Sequence, residues 1–319
     1  MTRSGTPTAT TGVIAVDLGG TYLKGAVFTQ DGQQVTAARR PTGRDQGPAA
    51  VLATLLAHTA QLQHAATTQG VRVSAAGIAV PGLVDAEKGV ARYSANLGWR
   101  DVPVRDLAAE RLGIPVALGH DVLAGGVAES TLGAGRGVRE LLFLAIGTGI
   151  AGTVVVDGRP VAGAAGLAGE IGHTPVRPEG IECACGQRGC LESYASAAAI
   201  ARGYGGGVSA EQVVALAGRG DQRATRIWSE ALDTLSLALA SYTLFLDPEL
   251  VVLGGGLAGA GAELVDPLRE RLAHRLTFRP APRLATAAFG PDAAIHGAAL
   301  LAWDAAGAVP DATRWRPGG

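Results

Sequence analysis

Apolar and polar positions first alternate in short runs broken by glycine, then lengthen into runs with helical spacing. Val13-Ile14-Ala15-Val16, residues 24–28 and residues 35–39 read as three short strands. They are joined across Asp17-Leu18-Gly19-Gly20-Thr21 and across Asp31-Gly32, so a β-meander is expected rather than a strand feeding a helix. Residues 48–69 change to helical period, with Val51, Leu52, Leu55, Leu56 and Leu62 on the apolar side. Residues 73–80 form a buried strand stopped by Pro81-Gly82, residues 104–112 a short helix ended by Gly113, and residues 115–118 a strand. His120-Asp121 then opens a helical stretch over 122–132.

The strand–glycine turn–strand pattern returns at residues 140–146, Gly147-Thr148-Gly149-Ile150-Ala151-Gly152 and residues 153–156, closed by Asp157-Gly158. Residues 194–201 are helical, and 222–246 make the longest helix, whose nearly all-apolar C-terminal half is expected to be buried. Residues 248–253 enter Gly254-Gly255-Gly256 directly before another helical stretch, and 284–288 and 292–304 supply a last strand and helix. Arg314-Trp315-Arg316 reads as a solvated tail.

Composition narrows the class. The 319 residues hold 47 glycines and only 4% aromatics, which suits tight α/β packing in one large or two medium domains. A net charge of −1 supplies no general field for nucleic acid or a membrane surface. No apolar run reaches the roughly 18 residues of a membrane span. Residues 1–11 lack an apolar centre and a cleavage site, so a disordered tail is expected rather than a leader, and the protein is expected to be cytoplasmic.

Four places carry candidate chemistry in glycine turns and carboxylates. Glycines at a tight hairpin let backbone N–H groups approach an oxyanion, and Asp17 at a strand end suits Mg²⁺ held through water; an ordinary hairpin accounts for the same turn. The second turn matches G-x-G-x-x-G, yet a β-branched strand follows it where a dinucleotide fingerprint requires a helix. Two such hairpins about 130 residues apart suggest, by analogy of fold, the phosphate clamp of actin-like or hexokinase-like ATPases. Asp121, at a strand end and helix N-terminus, is placed either to cap its helix or to act as general base on a hydroxyl attacking a phosphoryl group. Gly254-Gly255-Gly256 suits close approach of an adenine or ribose, or is a loose loop.

The fifth place is residues 167–192, LAGEIGHTPVRPEGIECACGQRGCLE. All three cysteines, Cys183, Cys185 and Cys190, lie within eight residues, with His173 ten residues upstream of the first. One imidazole and three thiolates complete a tetrahedral structural zinc site. Three small buried thiols, or a disulfide, would account for the same cysteines; the odd count and the lack of a secretory leader disfavour a disulfide. A metal there would fix the flanking carboxylates Glu170 and Glu192 in space.

Gly-Glu-Ile-Gly-His followed by Cys-x-Cys-Gly-x-x-Gly-Cys-x-Glu resembles the zinc-site signature of the ROK family of repressors, open reading frames and sugar kinases. The other motifs follow in that family's order over most of the chain. Asp17, Gly19, Gly20 and Thr21, with Lys24 beyond them, resemble its first phosphate motif, Gly147, Thr148 and Gly149 the second, and Gly254, Gly255 and Gly256 its nucleoside motif. Ala79-Val-Pro-Gly82-Leu-Val and Asn96-Leu-Gly-Trp99 resemble its sugar-side segments. The resemblance implies a two-lobed actin-like/hexokinase-like (ribonuclease H-like) α/β ATPase fold with an interlobe cleft. The expected lobes are residues 12–118, joined by the C-terminal helix at about 292–305, and residues 119–291 with the zinc loop and base. It also implies ATP and Mg²⁺, a structural Zn²⁺, phosphoryl transfer to the 6-hydroxyl of a hexose, Asp121 as base, and sugar contacts from Gly82, Asn96, Asp121, Glu170, His173 and Glu192. Homodimers are common in that family, while nucleic acid and membrane are not expected partners of this chain.

One departure stands out. The family pattern before the base is Asn-Asp, and this chain has His120-Asp121. The asparagine ordinarily helps hold the sugar 3-hydroxyl. An imidazole in that place is consistent with glucose, His120 turning away, or with a sugar altered at C3 such as 3-amino-3-deoxyglucose (kanosamine), its nitrogen between His120 and Asp121. The same motifs also suit an N-acetylhexosamine or mannose kinase, or a non-catalytic sugar-responsive regulator. Regulators of the family carry an added helix-turn-helix domain before the first strand, which here begins near Val13, so an enzyme is expected.

Overall fold

The computed structural model describes residues 10–315. Its contacts divide the chain into two compact units, one holding the described residues up to Ala128 and from Ala294 onward, the other Glu129–Ala293.

The first unit begins with the expected meander, β1 (Thr11–Leu18), β2 (Tyr22–Thr29) and β3 (Gln34–Pro41). Thr11 thus already belongs to β1, and residues 1–9 of the expected tail lie outside the described residues. Helix α1 (Pro48–Thr68) leads to β4 (Arg72–Val80); β5 (Leu83–Asp85), β6 (Val90–Ser94) and β7 (Trp99–Val102) form a small antiparallel sheet; α2 (Val104–Leu112), β8 (Val116–His120) and α3 (Asp121–Thr131) follow. The main sheet has the order β3-β2-β1-β4-β8, antiparallel on the β3 side and parallel from β1 to β8. Strands β1 and β4 are almost wholly buried, with Ile14, Val16 and Ile78 fully inaccessible, so they read as continuous apolar runs. Gly25 of β2 is glycine because a Cβ would stand 2.5 Å from both His58 and Leu62 of α1.

In the second unit β9 (Leu141–Ile146), β10 (Ile150–Val156) and β11 (Arg159–Pro160) make another meander. A long loop leads to α4 (Glu192–Ala195), α5 (Ala197–Tyr204), α6 (Ala210–Gly218) and α7 (Gln222–Leu246), then β12 (Leu250–Gly254), α8 (Ala262–Arg275) and β13 (Arg283–Thr286). The sheet order is β11-β10-β9-β12-β13. The core lies between this sheet and α7, where Trp228, Leu232, Leu235 and Leu239 are buried. The chain returns to the first unit with α9 (Ala293–Ala305), seated so closely on β4 that a Cβ on Gly77 would lie 1.9 Å from the Ala298 carbonyl oxygen. The units exchange inside α3, later in the chain than the expected 118/119 boundary, so Asp121 belongs to the first unit.

Three expectations need correction. The helix expected over 194–201 is broken at Ser196, whose extended backbone ends α4 and whose hydroxyl accepts from the Ala199 N–H to cap α5. The C-terminal half of α7 is not wholly buried: Leu237, Leu244 and Phe245 are exposed, the last at 87%, because they lie on the outer face of the helix while Leu239, Tyr242 and Leu246 keep to the core side. Trp315 is no solvated tail, at 2% exposure. Its ring packs on Phe28 and His296, its indole N–H donates to the Gln30 carbonyl, and Gln30 in turn donates to the Val309 carbonyl. Arg314 does reach solvent and pairs with Asp31, while Arg316 lies outside the described residues. Of the four tryptophans, Trp99, Trp303 and Trp315 are buried in the first unit and Trp228 in the second. Among the described residues no helix is long and apolar enough to cross a membrane.

Candidate active site

In the first unit the candidate residues collect at one end of the sheet. Strands β1, β4 and β8 run parallel, with Asp17 opposite Ala79 and Val80 opposite His120. Their carboxyl ends therefore deliver Asp17, Pro81-Gly82 and His120-Asp121 side by side, where open α/β sheets place their ligands. Asp17 also stands opposite Lys24 across the β1–β2 hairpin. The hairpin turn is tight: the Gly19 N–H donates to the Tyr22 carbonyl at 2.9 Å. A Cβ on Gly20 would lie 3.6 Å from Asn96, so the first glycine turn and Asn96 adjoin. Thr21 is exposed, and Gly82 has φ 101° with its Cα against the Tyr93 carbonyl, a position closed to any side chain.

Thr42, which no sequence motif singles out, holds this turn from beyond β3. Fully buried, it donates its N–H to the Thr21 carbonyl and its hydroxyl to the Gly19 carbonyl. No local pattern marks such a residue, because its partners lie about twenty positions earlier.

Asp121 is half-buried and is not the cap of its helix. Its Oδ1 accepts from the Val122 N–H at 2.7 Å and lies 3.2 Å from His120 Nε2. The Leu123 N–H points at His120 Nδ1, 3.4 Å away. His120 rather than Asp121 thus fills the helix N-cap position of α3.

The second unit repeats the arrangement with different groups. Gly147, Thr148 and Gly149 turn between β9 and β10, and the Gly147 carbonyl accepts from the Ala197 N–H at the start of α5. Glu192 is brought to this turn: its Oε2 accepts from the Ile150 N–H at 2.8 Å, and a Cβ on Gly149 would meet that oxygen at 2.5 Å. Gly254 pairs with Ala145 of β9, and a Cβ on Gly255 (φ 77°) would stand 2.5 Å from the Ile146 carbonyl. The glycine triplet is therefore not a loose loop; its first two members let β12 and its turn lie against β9. Gly256 is exposed, and beyond it a cavity of about 320 Å³ is lined by Glu211 and Val214 of α6, Leu257, Gly259, Ala260 and Glu263.

The long loop between β11 and α4 draws His173, Cys183, Cys185 and Cys190 together, with their four ligand atoms all within 4.8 Å of one another. Cys183 Sγ is 3.7 Å from His173 Nδ1, and Cys185 Sγ is 3.7 Å from Cys190 Sγ. Zn–S bonds of about 2.3 Å in a tetrahedron put sulfurs about 3.8 Å apart, so this donor set fits zinc. Burial pushes the Cys190 thiol up to about 12, helped by Cys183 and Cys185 beside it. Burial also opposes ionisation of Cys183, but hydrogen bonds from the Cys185 backbone, Ser193, Cys185 and His173 outweigh it and bring that thiol down to about 6. Three sulfurs this close cannot all carry charge without a cation among them. The other His173 nitrogen, Nε2, faces Glu170 at 3.9 Å.

Tyr242 of α7, also missed in the sequence, sets this loop. Its buried hydroxyl is 2.7 Å from the Ile171 carbonyl and 2.8 Å from Thr174 Oγ1, on either side of His173, and burial raises its pKa. A signal existed: a tyrosine in an apolar helical run needs a partner for its O–H.

The fold and the paired glycine turns define the class, a two-lobed α/β protein of the actin-like, hexokinase-like type. The ROK family model matches residues 13–305, and the chain belongs to the ROK family. It is 34% identical over 310 residues to a glucokinase of Thermotoga maritima, with 91% of this chain and 96% of that protein covered. Among solved structures, a ROK hexokinase from Thermus thermophilus matches with TM-score 0.80 at 35% identity, covering 92% of this chain and 98% of that one. A ROK family glucokinase from Streptomyces griseus, in complex with glucose and AMPPNP, matches with TM-score 0.79 at 28% identity, covering 92% and 99%.

Proposed function

We propose that this protein is an ATP-dependent hexose kinase that phosphorylates the 6-hydroxyl of glucose or a close relative. The observation that carries the reading is Asp121 at the carboxyl end of β8. One of its oxygens is held by the chain itself, and Oδ2 has no partner among the described residues. Membership of the ROK family does not separate kinases from sugar-responsive regulators; a carboxylate placed to take a proton does. The similarity to glucokinases along nearly the whole chain supports the same reading.

In this reading the sugar 6-oxygen loses its proton to Asp121 Oδ2 as it bonds to the γ-phosphorus. The bond from that phosphorus to the bridging oxygen breaks, and ADP leaves. Gly19, Gly20 and Thr21, with Lys24, and Gly147, Thr148 and Gly149 hold phosphate oxygens through backbone amides and side chains, while Gly254, Gly255 and Gly256 lie along the nucleoside. Asp17 would hold Mg²⁺, which neutralises charge on the phosphates. Zn²⁺ at His173, Cys183, Cys185 and Cys190 would serve structure alone, its four positions being filled. Gly82, Asn96, Glu170, His173 and Glu192 contact the sugar, His173 through Nε2, since Nδ1 faces the sulfurs.

Both ring nitrogens of His120 face groups of the chain, so a 3-amino sugar would find its acceptor in Asp121 rather than in His120. That arrangement favours glucose over kanosamine. A coupled assay with ATP and Mg²⁺ over glucose, mannose, N-acetylglucosamine, N-acetylmannosamine and 3-amino-3-deoxyglucose decides the matter. The highest kcat/KM is expected for glucose; the reading fails if no hexose is phosphorylated, and a clear preference for the amino sugar moves the specificity to C3.

A further inference from the structure

His173 ends a short turn that two elements of the second unit hold between them. The turn is 3₁₀ over Ile171–His173, closed by the His173 N–H to the Glu170 carbonyl and the Thr174 N–H to the Ile171 carbonyl. Towards β10, Gly172 is buried against the Ile150 carbonyl with no room for a Cβ. Towards α7, the Tyr242 hydroxyl lies 2.7 Å from the Ile171 carbonyl and 2.8 Å from Thr174 Oγ1. A phenol has one proton and a carbonyl can only accept, so Tyr242 donates to Ile171 and receives the Thr174 hydroxyl proton. One hydroxyl thus bridges both flanks of His173. Thr174 carries the restraint on to the thiols. Its carbonyl accepts from the Leu191 N–H at 2.9 Å, next to Cys190, whose Sγ is 3.4 Å from the His173 carbonyl.

The geometry points to Tyr242 as the positioning residue of the thiol–imidazole site: its hydroxyl sets the His173 ring, with Nδ1 toward the Cys183 sulfur and Nε2 toward Glu170. This rests on the zinc reading above and adds that α7 governs how tightly the metal is held. Without the hydroxyl the turn slackens, and binding a metal must then also fix a ligand that wanders. The same slackening moves Nε2, so affinity for metal and for sugar should fall together. The Tyr242 ring belongs to the core cluster between α7 and the sheet. Phenylalanine there keeps the packing and removes the hydroxyl alone.

The test compares wild type, Tyr242→Phe, Thr174→Val and the double variant, and its first readout is metal alone. Zinc affinity is measured by competition with a chromogenic chelator, and cobalt(II) in place of zinc reports the ligand set by its visible spectrum. Groups that orient metal ligands typically contribute about 10–100-fold in affinity, so Tyr242→Phe should bind zinc at least about tenfold more weakly. Thr174→Val, which leaves the bond to Ile171, should lose less. The double variant should lose no more than Tyr242→Phe, because both act through one hydroxyl. KM for glucose should rise in Tyr242→Phe with kcat close to wild type. By linkage, the Tm difference between this variant and wild type should be larger with zinc than after chelation.

Unchanged zinc affinity, with the same Tm loss in loaded and chelated protein, would make Tyr242 a packing residue only and overturns the inference. Weaker zinc binding with an unaltered KM in an active enzyme overturns it too. A wild type that binds no zinc removes the metal reading and this role with it, whereas a zinc-bearing wild type with an indifferent Tyr242→Phe removes this role alone. The metal readouts need no turnover, so a protein that phosphorylates no hexose loses the kinase reading while zinc affinity still decides the role of Tyr242.

Discussion

In the first unit β3, β2, β1, β4 and β8 stand in the same order, with the same antiparallel and parallel pairs, as β11, β10, β9, β12 and β13 in the second. The two sheets nonetheless carry different chemistry. The β1–β2 turn has Asp17 at its entry and Lys24 opposite, and His120-Asp121 at a nearby strand end. The β9–β10 turn has no ionisable residue of its own and borrows Glu192. Where the first unit passes from its third strand to its fourth mainly through α1, the second inserts the thiol loop and four helices. The shared topology thus fixes where strand ends fall, while the connections decide which groups arrive there.

The sharpest way to break this parallel is at β8, whose counterpart β13 ends without a carboxylate. Asp121→Asn should lower kcat about a hundredfold to ten-thousandfold, as loss of a general base does. Glucose binding by calorimetry should persist. Near-normal turnover would remove the asymmetry from the catalytic account.

Next in size is the insertion. Cys185→Ser, or chelation, should remove one zinc per chain by elemental analysis, lower the Tm of the second unit, and raise KM for glucose through Glu170 and His173. Structural zinc binds zinc-finger peptides with an apparent free energy of about 10–16 kcal/mol, so its loss should show plainly in Tm. Active, stable, metal-free protein would show that the loop stands by its own contacts.

The third test concerns packing. Gly77→Ala on β4 drives a methyl into the α9 backbone, with the nearest atom only 1.9 Å away. It should cost about 3 kcal/mol, the upper range for overpacking, read as a lowered denaturant midpoint. The matching strand β12 has no glycine before its last residue, so Val252→Ala there should behave as an ordinary cavity mutant costing about 1–2 kcal/mol.

The smallest effect is a pH dependence confined to the first unit. His58 of α1 is wholly buried, its ring nitrogens have no hydrogen-bond partner among the described residues, and burial lowers its pKa to about 4, with Arg40 adding to the effect. The unfolded chain protonates this histidine near 6.5 and the folded chain only near 4, so stability is intact above 6.5 and is lost as pH falls between those values. The loss from pH 7 to pH 5 should be about 2 kcal/mol. His58→Leu should flatten that part of the profile in urea titrations, and an unchanged slope would assign it to other groups.

Local pattern was enough for the meanders, α1, α7 and the thiol cluster, because period, turn residues and ligand spacing are written over neighbouring residues. It failed where partners are distant. The Arg-Trp-Arg run looks solvated until Phe28 and His296 supply the wall for Trp315. Ser196 looks like one more helical residue until its cap divides α4 from α5. Phe245 sits in an apolar helical run whose outer face carries leucine and phenylalanine too, so hydropathy alone does not say which face meets the core. At the site, the identity of Asp121 was legible and the capping of α3 by His120 was not, since a dipeptide does not state which ring nitrogen faces which neighbour. Thr42 was invisible for the same reason, and Tyr242 showed only that its O–H needs a partner, not which one: each serves a segment far from it along the chain.

The placement of the tryptophans gives the protein a built-in optical asymmetry. Three indoles report from the first unit and only Trp228, on α7, from the second. Intrinsic emission during melting or chelation is therefore weighted towards the first unit, and a quiet spectrum after zinc removal would say little about the insertion. A protein keeping Trp228 alone would turn the same fluorimeter on the half that holds the thiol cluster. Trp315 also makes the spectrum sensitive to trimming of the carboxyl end, since a clip before it removes one emitter and uncovers the ring of Phe28.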